Sequence, residues 1–190
     1  TTKSEPIKGI GHSYGAWTIT KEATVYSKAE QKRTCSTCGK EEITTYGEKL
    51  RPTISTNATS LKLKKKQTTK KFTVTGLAKG DYITSWTSSN KKIVTVTGNQ
   101  NGTCKIKAGS KTGKATITIK LASGLTKQIK VSVQKKAVTC SKIKNVPKTI
   151  KLKKKQTYQL KPMIEPITCT DKAKYKSSNK KTAKVTKSGK

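Results

Sequence analysis

The sequence predicts an all-β chain made of tandem β-sandwiches, with a small β module in front of them. Short runs in which apolar and polar residues alternate are typical of strands, and the glycines between these runs predict turns. Two matched pairs of segments at one constant spacing predict the tandem arrangement. Hydrophobic residues make up 31% of the 190 residues, against about 45–50% in an ordinary soluble domain. We therefore expect several thin modules rather than one large core.

The repeat consists of two blocks. LKLKKKQT at residues 61–68 returns as IKLKKKQT at 150–157, and WTSSNKKIVTV at 86–96 returns as YKSSNKKTAKV at 175–185. The offset is 89 residues for both blocks. A common offset for two separate blocks predicts two copies of one structural unit.

The first copy contains seven short alternating runs without a helical period, and this pattern predicts an antiparallel sandwich of the immunoglobulin type. Trp86 falls on the third strand, and Tyr175 is its counterpart in the second copy. We interpret both as core anchors between two sheets rather than as platforms for a ligand. The predicted strands lie around Leu61 and Leu63, around Phe72 and Val74, and at Asp81–Thr87, Ile93–Thr97, Thr103–Ala108, Ala115–Leu121 and Ile129–Val133.

The runs LKLKKKQT, SWTSSNKKIVTV and GSKTGKATITIKLASG resemble bacterial Ig-like domains of group 2, the Big2 family. The resemblance covers residues 52–134 fully and residues 141–190 in part. It implies an immunoglobulin-like sandwich. It also implies a secreted or cell-surface bacterial protein, in which such modules serve as stalks beside adhesive or hydrolytic domains.

The N-terminal stretch GHSYGAWTITKEATVYSKAEQKRTCSTCGKEEITTYG resembles a short Cys/Trp-containing surface repeat of Gram-positive gut bacteria. In this chain Val25 stands where that repeat has its first cysteine, and Tyr14 replaces a tryptophan. The positions of Trp17, Ile19 and Ile43 predict a small three-stranded β unit.

These patterns predict three domains: a small β surface repeat with a CxxC motif at 1–50, an Ig-like sandwich at 51–136, and a partial second Ig-like domain at 137–190. Under the 89-residue offset, position 190 corresponds to position 101 of the first copy. The second copy therefore lacks counterparts of three of the seven strands, and we expect apolar residues such as Ile150 and Leu152 to be exposed. Either Lys190 is a cut within a longer protein, or another chain supplies the missing strands.

The composition excludes most enzyme classes. His12 is the only histidine, and aspartate and glutamate total nine residues. Paired carboxylates, Ser-His-Asp sets and sites with several histidines need residues that this chain lacks. No Gly-rich phosphate loop is present, and no apolar run approaches the roughly 20 residues of a membrane span. We expect a protein that is not an enzyme and that uses no cofactor and no metal.

The net charge of +34 predicts attraction to polyanions. Only two of the 43 basic residues are arginine, which argues against specific nucleic-acid reading because base recognition depends on arginine forks. We expect weak binding to anionic cell-wall polymers or to host glycans or proteins. The alternative is that the lysines form a solvated surface that protects strand edges. The candidate binding residues are the lysines of the two LKKKQ turns, Lys64, Lys65 and Lys66 in the first copy and Lys153, Lys154 and Lys155 in the second.

The cysteines predict an oxidising compartment. Cys140 and Cys169 have no cysteine counterparts in the first copy, where Arg51 and Gly80 stand, so we expect them to form a disulfide. For Cys35 and Cys38 we expect a local disulfide. The alternative is half of a zinc site, which needs two more ligands and has only His12 nearby in sequence. Cys104 is either a buried small apolar residue or an intermolecular thiol.

The sequence thus predicts a non-catalytic extracellular bacterial surface protein, a stalk or adhesion module with lysine-rich, polyanion-binding faces. One alternative is the accessory wall- or glycan-targeting region of a secreted hydrolase. A second is the subunit of a self-assembling surface filament that binds neighbouring copies of itself by strand donation.

Overall fold

The computed structural model describes residues 11–190, and in this range the chain is all β. The first ten residues of the predicted domain at 1–50 lie outside the described residues. Within residues 11–190 no helix is long or apolar enough to span a bilayer. The described residues form fourteen strands: β1 (Thr18–Lys21), β2 (Ala29–Thr34), β3 (Glu41–Tyr46), β4 (Ser55–Thr56), β5 (Ser60–Lys64), β6 (Thr68–Thr69), β7 (Val74–Thr75), β8 (Ile83–Ser88), β9 (Val94–Gly98), β10 (Cys104–Ala108), β11 (Gly113–Leu121), β12 (Thr126–Gln134), β13 (Lys142–Lys144) and β14 (Met163–Glu165).

The chain forms two compact units. The first comprises the residues up to Thr53 together with Gly76–Asp81, and the second comprises Ile54–Thr75 with Tyr82–Lys190. The second unit thus contains both copies of the repeat.

The first unit is an antiparallel sheet in the order β1-β2-β3. Its strands are joined mainly by polar pairs, because Ile19, Ile43 and Tyr46 all remain exposed. Arg33 lies directly opposite Glu42, and the guanidinium Nη2 is 2.7 Å from the carboxylate. Such cross-strand charge pairs contribute about 0.2–1 kcal/mol each.

The second unit contains the immunoglobulin-like sandwich. One sheet has the order β5-β12-β11-β8 and the other has the order β6-β10-β9. Burial alternates along β10, β11 and β12, so each of these strands has an apolar side and a lysine- or threonine-rich side. The apolar sides form the core, which consists of Leu61, Leu63, Phe72, Val74, Ile83, Val94, Cys104, Ile106, Ala108, Ala115, Ile117, Ile119, Leu121, Ile129, Val131 and Val133.

The sandwich departs from the predicted antiparallel arrangement at one strand pair. β5 pairs with β12 in parallel, with Leu61 opposite Val131 and Leu63 opposite Val133. The reason is topological. When successive strands reverse direction, the first and the seventh strand run the same way, and here they are neighbours.

The second predicted strand is also different, because the chain changes sheets along it. β6 pairs with β10, whereas β7 pairs with β4. Phe72 lies between these two short strands and is fully buried.

Both copies of the repeat form the same turns. In the LKKKQ segment the Gln67 N–H donates to the Lys64 carbonyl at 3.0 Å, and Gln156 bonds Lys153 in the same way at 3.0 Å. Each glutamine side chain also accepts the N–H of that same lysine, at 2.7 Å in the first copy and 3.0 Å in the second. The offset of 89 therefore marks equivalent backbone conformations.

The second copy has few strands of its own. Between residues 141 and 190 the strands are β13 and β14, which pair with each other. Ile150 and Leu152 are exposed, although their counterparts Leu61 and Leu63 are buried beside β12. Residues 141–190 thus hold one short strand pair, and a second Ig-like domain over this segment stays a prediction.

Candidate functional site

Charge is distributed unevenly between the two units. The second unit contains 33 lysines and two acidic residues, Glu165 and Asp171, for a net charge of +31. The other seven acidic residues belong to the first unit. Among the described residues of this unit Glu22 pairs with Lys79, Glu30 with Lys21, Glu41 with Lys32, Glu42 with Arg33, and Glu48 with Lys28. Positive charge on the second unit is therefore largely uncompensated.

The outer face of the four-stranded sheet holds three exposed lysines around a shallow groove. In one cross-strand row Ser132 has Lys62 on one side and Lys114 on the other. In the adjacent row Lys130 lies between Ser60 and Thr116. Neighbouring strands are about 4.8 Å apart and alternate residues about 6.6 Å apart, so the three lysine backbones lie within roughly 10 Å of one another.

This groove has a volume of about 500 Å³, and Lys62, Lys114 and Lys130 lie on its walls. Ser60, Thr116 and Ser132 also line the groove, together with the apolar residues Leu61, Ala115 and Val131. Positive charge is therefore concentrated along the walls of this groove.

Sequence reasoning did not single out these three lysines. The sequence does show that these lysines alternate with apolar residues, and this alternation places them on the outer face of the sandwich. Their proximity depends on the β5–β12 register, since β5 and β12 are about 70 residues apart in the chain.

The lysines of the predicted turns lie elsewhere on the surface. Lys64 and Lys66 are exposed and Lys65 is half-buried, whereas Lys153, Lys154 and Lys155 are all exposed. Among the described residues none of the six forms an ion pair with a carboxylate. Their role in polyanion binding stays a prediction.

A second constellation lies in the first unit, where Cys35, Cys38 and His12 come together. Their ligand atoms all lie within 4.8 Å of one another, and His12 Nδ1 is 3.1 Å from Cys38 Sγ. The segment that carries His12 runs beside β2. It is held there by bonds from the Ser36 N–H to the Ser13 carbonyl at 2.8 Å and from the Gly15 N–H to the Thr34 carbonyl at 3.1 Å.

The predicted local disulfide is absent from the structure, because Cys35 and Cys38 are both free thiols. Cys35 is buried and Cys38 is exposed. Desolvation raises the pKa of the Cys35 thiol, but N–H groups of Cys38 and Thr37 directed at its sulfur, with His12, outweigh that effect and lower the pKa to about 6. The turn thus stabilises a thiolate.

Aromatic and charged side chains flank this cluster. The Arg33 guanidinium carbon lies 4.4 Å from the ring centre of Tyr14 and 4.6 Å from that of Trp17, so the arginine is placed between two rings. The hydrogen bond from Arg33 lowers the pKa of Glu42. Desolvation and the neighbouring Glu42 carboxylate raise the pKa of Tyr14.

The other cysteines are in the second unit. Cys140 and Cys169 form a disulfide with a Cα–Cα distance of 5.3 Å. The bridge is attached to the first copy, because Gln67 donates to the Thr168 carbonyl at 2.7 Å and Lys71 to the Cys169 carbonyl at 3.2 Å. Cys104 is a buried core residue, and burial raises the pKa of its thiol to about 11.

The two aromatic anchors occupy similar environments. Trp86 is half-buried and meets Phe72 edge-on, with 6.4 Å between ring centres. A Cβ atom on Gly98 would collide with the Trp86 indole, and one on Gly189 would lie 2.7 Å from the Tyr175 ring. In each copy the aromatic ring therefore packs directly on a glycine, and the role of the two rings as core anchors stays a prediction.

Comparison with known families gives one match. Residues 52–131 match the family model of the bacterial Ig-like domain (group 2). This match fits a surface-associated, non-catalytic module and a cell-surface or extracellular location. The match does not extend over the N-terminal 50 residues, and their resemblance to a Cys/Trp surface repeat stays a prediction.

Solved structures that match part of this chain include crystal structures of the S-layer protein SbsC. A crystal structure of its residues 31–844 is 23% identical with a TM-score of 0.40, and it covers 61% of this chain. This chain spans 18% of the length of that protein. A structure of SbsC domains 4 and 5 is 24% identical with a TM-score of 0.39, covering 55% of this chain and 64% of its own length. No curated protein matches the chain.

Proposed function

We propose that the chain is a non-catalytic stalk or adhesion module of a bacterial surface protein, and that it binds anionic polymers through the lysine groove of its sandwich. The observation that carries the proposal is the groove itself, where the strand register brings Lys62, Lys114 and Lys130 to one site. The charge imbalance of the second unit supports it. The Cys140–Cys169 disulfide supports an oxidising, extracellular address.

The ligand class follows from the chemistry of the groove. Lysine ammonium groups are compact charges without the forked geometry of arginine, so they attract phosphate, sulfate or carboxylate groups with little discrimination. We expect wall polymers such as teichoic acid or sulfated host glycans to bind weakly. Binding should weaken steeply with salt because each neutralised charge releases a counterion.

The experiment compares three triple variants against purified teichoic acid. The groove variant is Lys62→Gln, Lys114→Gln and Lys130→Gln. A matched control is Lys105→Gln, Lys107→Gln and Lys111→Gln, which removes the same charge away from the groove. A third protein with Lys64→Gln, Lys65→Gln and Lys66→Gln tests the turn lysines. Affinity is measured by isothermal titration over a series of salt concentrations, with neutral dextran as the negative control.

We expect the groove variant to lose more affinity than either of the others, and its salt dependence to have a slope lower by about 2 to 3. Equal losses in all three variants would show that binding follows net charge alone. The groove would then have no special role. Affinity for one oligonucleotide sequence that survives high salt would contradict the proposed ligand class.

A further inference from the structure

The first unit has almost no apolar core. Among its described residues Ala29 and Cys35 are the only buried apolar side chains. Small folds with so little core usually depend on a disulfide or a metal ion, and the structure shows no disulfide within residues 11–53. A metal ion could provide this link at the junction between the segment that carries His12 and the Cys35–Cys38 turn.

The donor atoms at this junction are those of a transition-metal site. Around a tetrahedral Zn²⁺ ion, sulfur ligands lie at about 2.3 Å and nitrogen ligands at about 2.0–2.1 Å, which puts the ligand atoms roughly 3.5–3.8 Å from one another. The three ligand atoms here lie within 4.8 Å of one another, and the nitrogen–sulfur pair is 3.1 Å apart. Shifts of about an ångström close the site, and the exposed His12 and Cys38 side chains are free to make them.

The backbone conformation of the Cys35–Cys38 turn also suits metal binding. Gly39 follows the two cysteines with a φ of 71°, which lets the chain reverse immediately. The Gly39 N–H donates to the Cys35 carbonyl at 2.9 Å, and the Cys35 N–H donates to the Lys40 carbonyl at 2.8 Å. Both sulfur atoms are thus placed by a closed backbone turn.

We propose that His12, Cys35 and Cys38 form a three-ligand site for a thiophilic divalent metal ion, with Zn²⁺ the ion that suits the donors best. Within residues 11–190 the cluster contains these three ligands, and a tetrahedral ion has room for one more ligand. The ion links the segment around Ser13 to the end of β2. The proposal does not depend on the lysine groove.

The test uses the whole chain, with free thiols reduced and counted before metal is added. Titration with Co²⁺ should produce thiolate-to-cobalt charge-transfer absorption and the visible bands of a tetrahedral site, with one ion bound per chain. Zn²⁺ should then displace the cobalt. Zn²⁺ should also slow hydrogen exchange at the Gly15 and Ser36 amides, because the ion joins the segment that carries His12 to the end of β2. A site whose protein ligands were Cys35 and Cys38 alone would leave these two exchange rates unchanged.

Matched variants locate the site. Cys38→Ser and His12→Gln change exposed residues. Loss of a residue that only orients a metal ligand weakens metal binding by roughly 10- to 100-fold. Each of these two variants removes a ligand itself, so each should weaken Co²⁺ binding by more than that. Cys104→Ala removes a thiol elsewhere and should bind as the parent does. The proposal is wrong if reduced parent protein binds no Co²⁺, if both exposed variants bind like the parent, or if Cys35 and Cys38 form a disulfide that resists reduction in the folded protein.

Discussion

At the scale of single residues, the repeat provides pairs of positions with the same sequence context and different burial. Leu63 is 0% exposed, whereas Leu152, its counterpart 89 residues later, is 47% exposed. Leu63 faces the core beside Val133 of β12, and no strand lies beside Leu152. The same side chain should therefore contribute very different amounts to stability.

We expect Leu63→Ala to lower the free energy of unfolding by about 2–5 kcal/mol and Leu152→Ala to change it by less than about 0.5 kcal/mol. Urea unfolding measures both. Trp86 fluorescence in a Trp17→Phe background reports on the sandwich alone. Equal losses in the two variants would mean that the second copy packs as tightly as the first.

Burial lowers the reactivity of the Cys104 thiol. It is 5% exposed, its thiol donates a weak bond to the Phe72 carbonyl at 3.5 Å, and its pKa is raised to about 11. Because the thiolate is the reactive form, alkylation of Cys104 at pH 8 should be slow in the folded chain and rapid in urea. Peptide mass spectrometry distinguishes it from the exposed Cys38, and rapid native labelling of Cys104 would contradict its burial.

At the scale of elements, the LKKKQ turn imposes a cost on both copies. Lys66 has a φ of 63° and Lys155 a φ of 66°, a left-handed conformation that costs a residue with a Cβ atom about 1–2 kcal/mol. The turn stays closed in spite of this cost, because the Gln67 and Gln156 side chains accept the backbone N–H of Lys64 and Lys153.

Glycine adopts the left-handed conformation without strain, which removes a cost of about 1–2 kcal/mol, but its greater freedom in the unfolded chain offsets about 0.4–1 kcal/mol of that gain. Lys66→Gly should therefore raise the stability of the sandwich by about 0.5–1 kcal/mol. Lys66→Gln removes the same charge and keeps the strain, so it should have almost no effect. Thermal and urea unfolding compare the two. A loss of stability in the glycine variant would show that the lysine side chain itself stabilises the turn.

The strands of the second copy should be less protected than those of the first. Residues 60–64 and 126–134 lie in one continuous sheet, whereas residues 150–160 form no strand. Amide hydrogen exchange followed by peptide mass spectrometry should therefore be slow across β5, β11 and β12 and fast across 142–162. Peptides around Cys169 should be intermediate, because the disulfide and Gln67 hold them. Uniform protection over 141–190 would contradict the incomplete second sandwich.

At the scale of the whole molecule, the concentration of charge in the second unit has a thermodynamic consequence. With 33 lysines against two acidic residues, this unit repels itself at low ionic strength. The first unit is stabilised by opposite charges, among them Lys32 and Glu41 at 2.7 Å. Salt should therefore act on the two units in opposite directions.

We expect the melting temperature of the sandwich to rise with added sodium chloride, because the Debye length falls from about 30 Å at 0.01 M to about 3 Å at 1 M. The variant with Lys105→Gln and Lys107→Gln, which has less charge to screen, should show a smaller rise. Calorimetry measures both, with sucrose as an uncharged control. A melting temperature that falls with salt would show that specific ion pairs outweigh repulsion in this unit.

The local elements of this protein follow from its sequence alone. Alternation along β10, β11 and β12 and the glycines between them predicted the all-β architecture and the seven-stranded first copy. These are properties of neighbouring residues, since strand periodicity and turn preference act over a few positions. The Cys140–Cys169 pair was also predictable, because comparison of the two copies isolated it.

Only the tertiary structure decided which distant residues meet. The parallel β5–β12 pairing, the groove formed by Lys62, Lys114 and Lys130, and the approach of His12 to Cys35 and Cys38 all depend on register and on segments that meet across the fold. The predicted Cys35–Cys38 disulfide is absent from the structure. The sequence spacing suggested a pair of sulfur atoms, and only the fold shows that the segment carrying His12 brings a third donor atom to them.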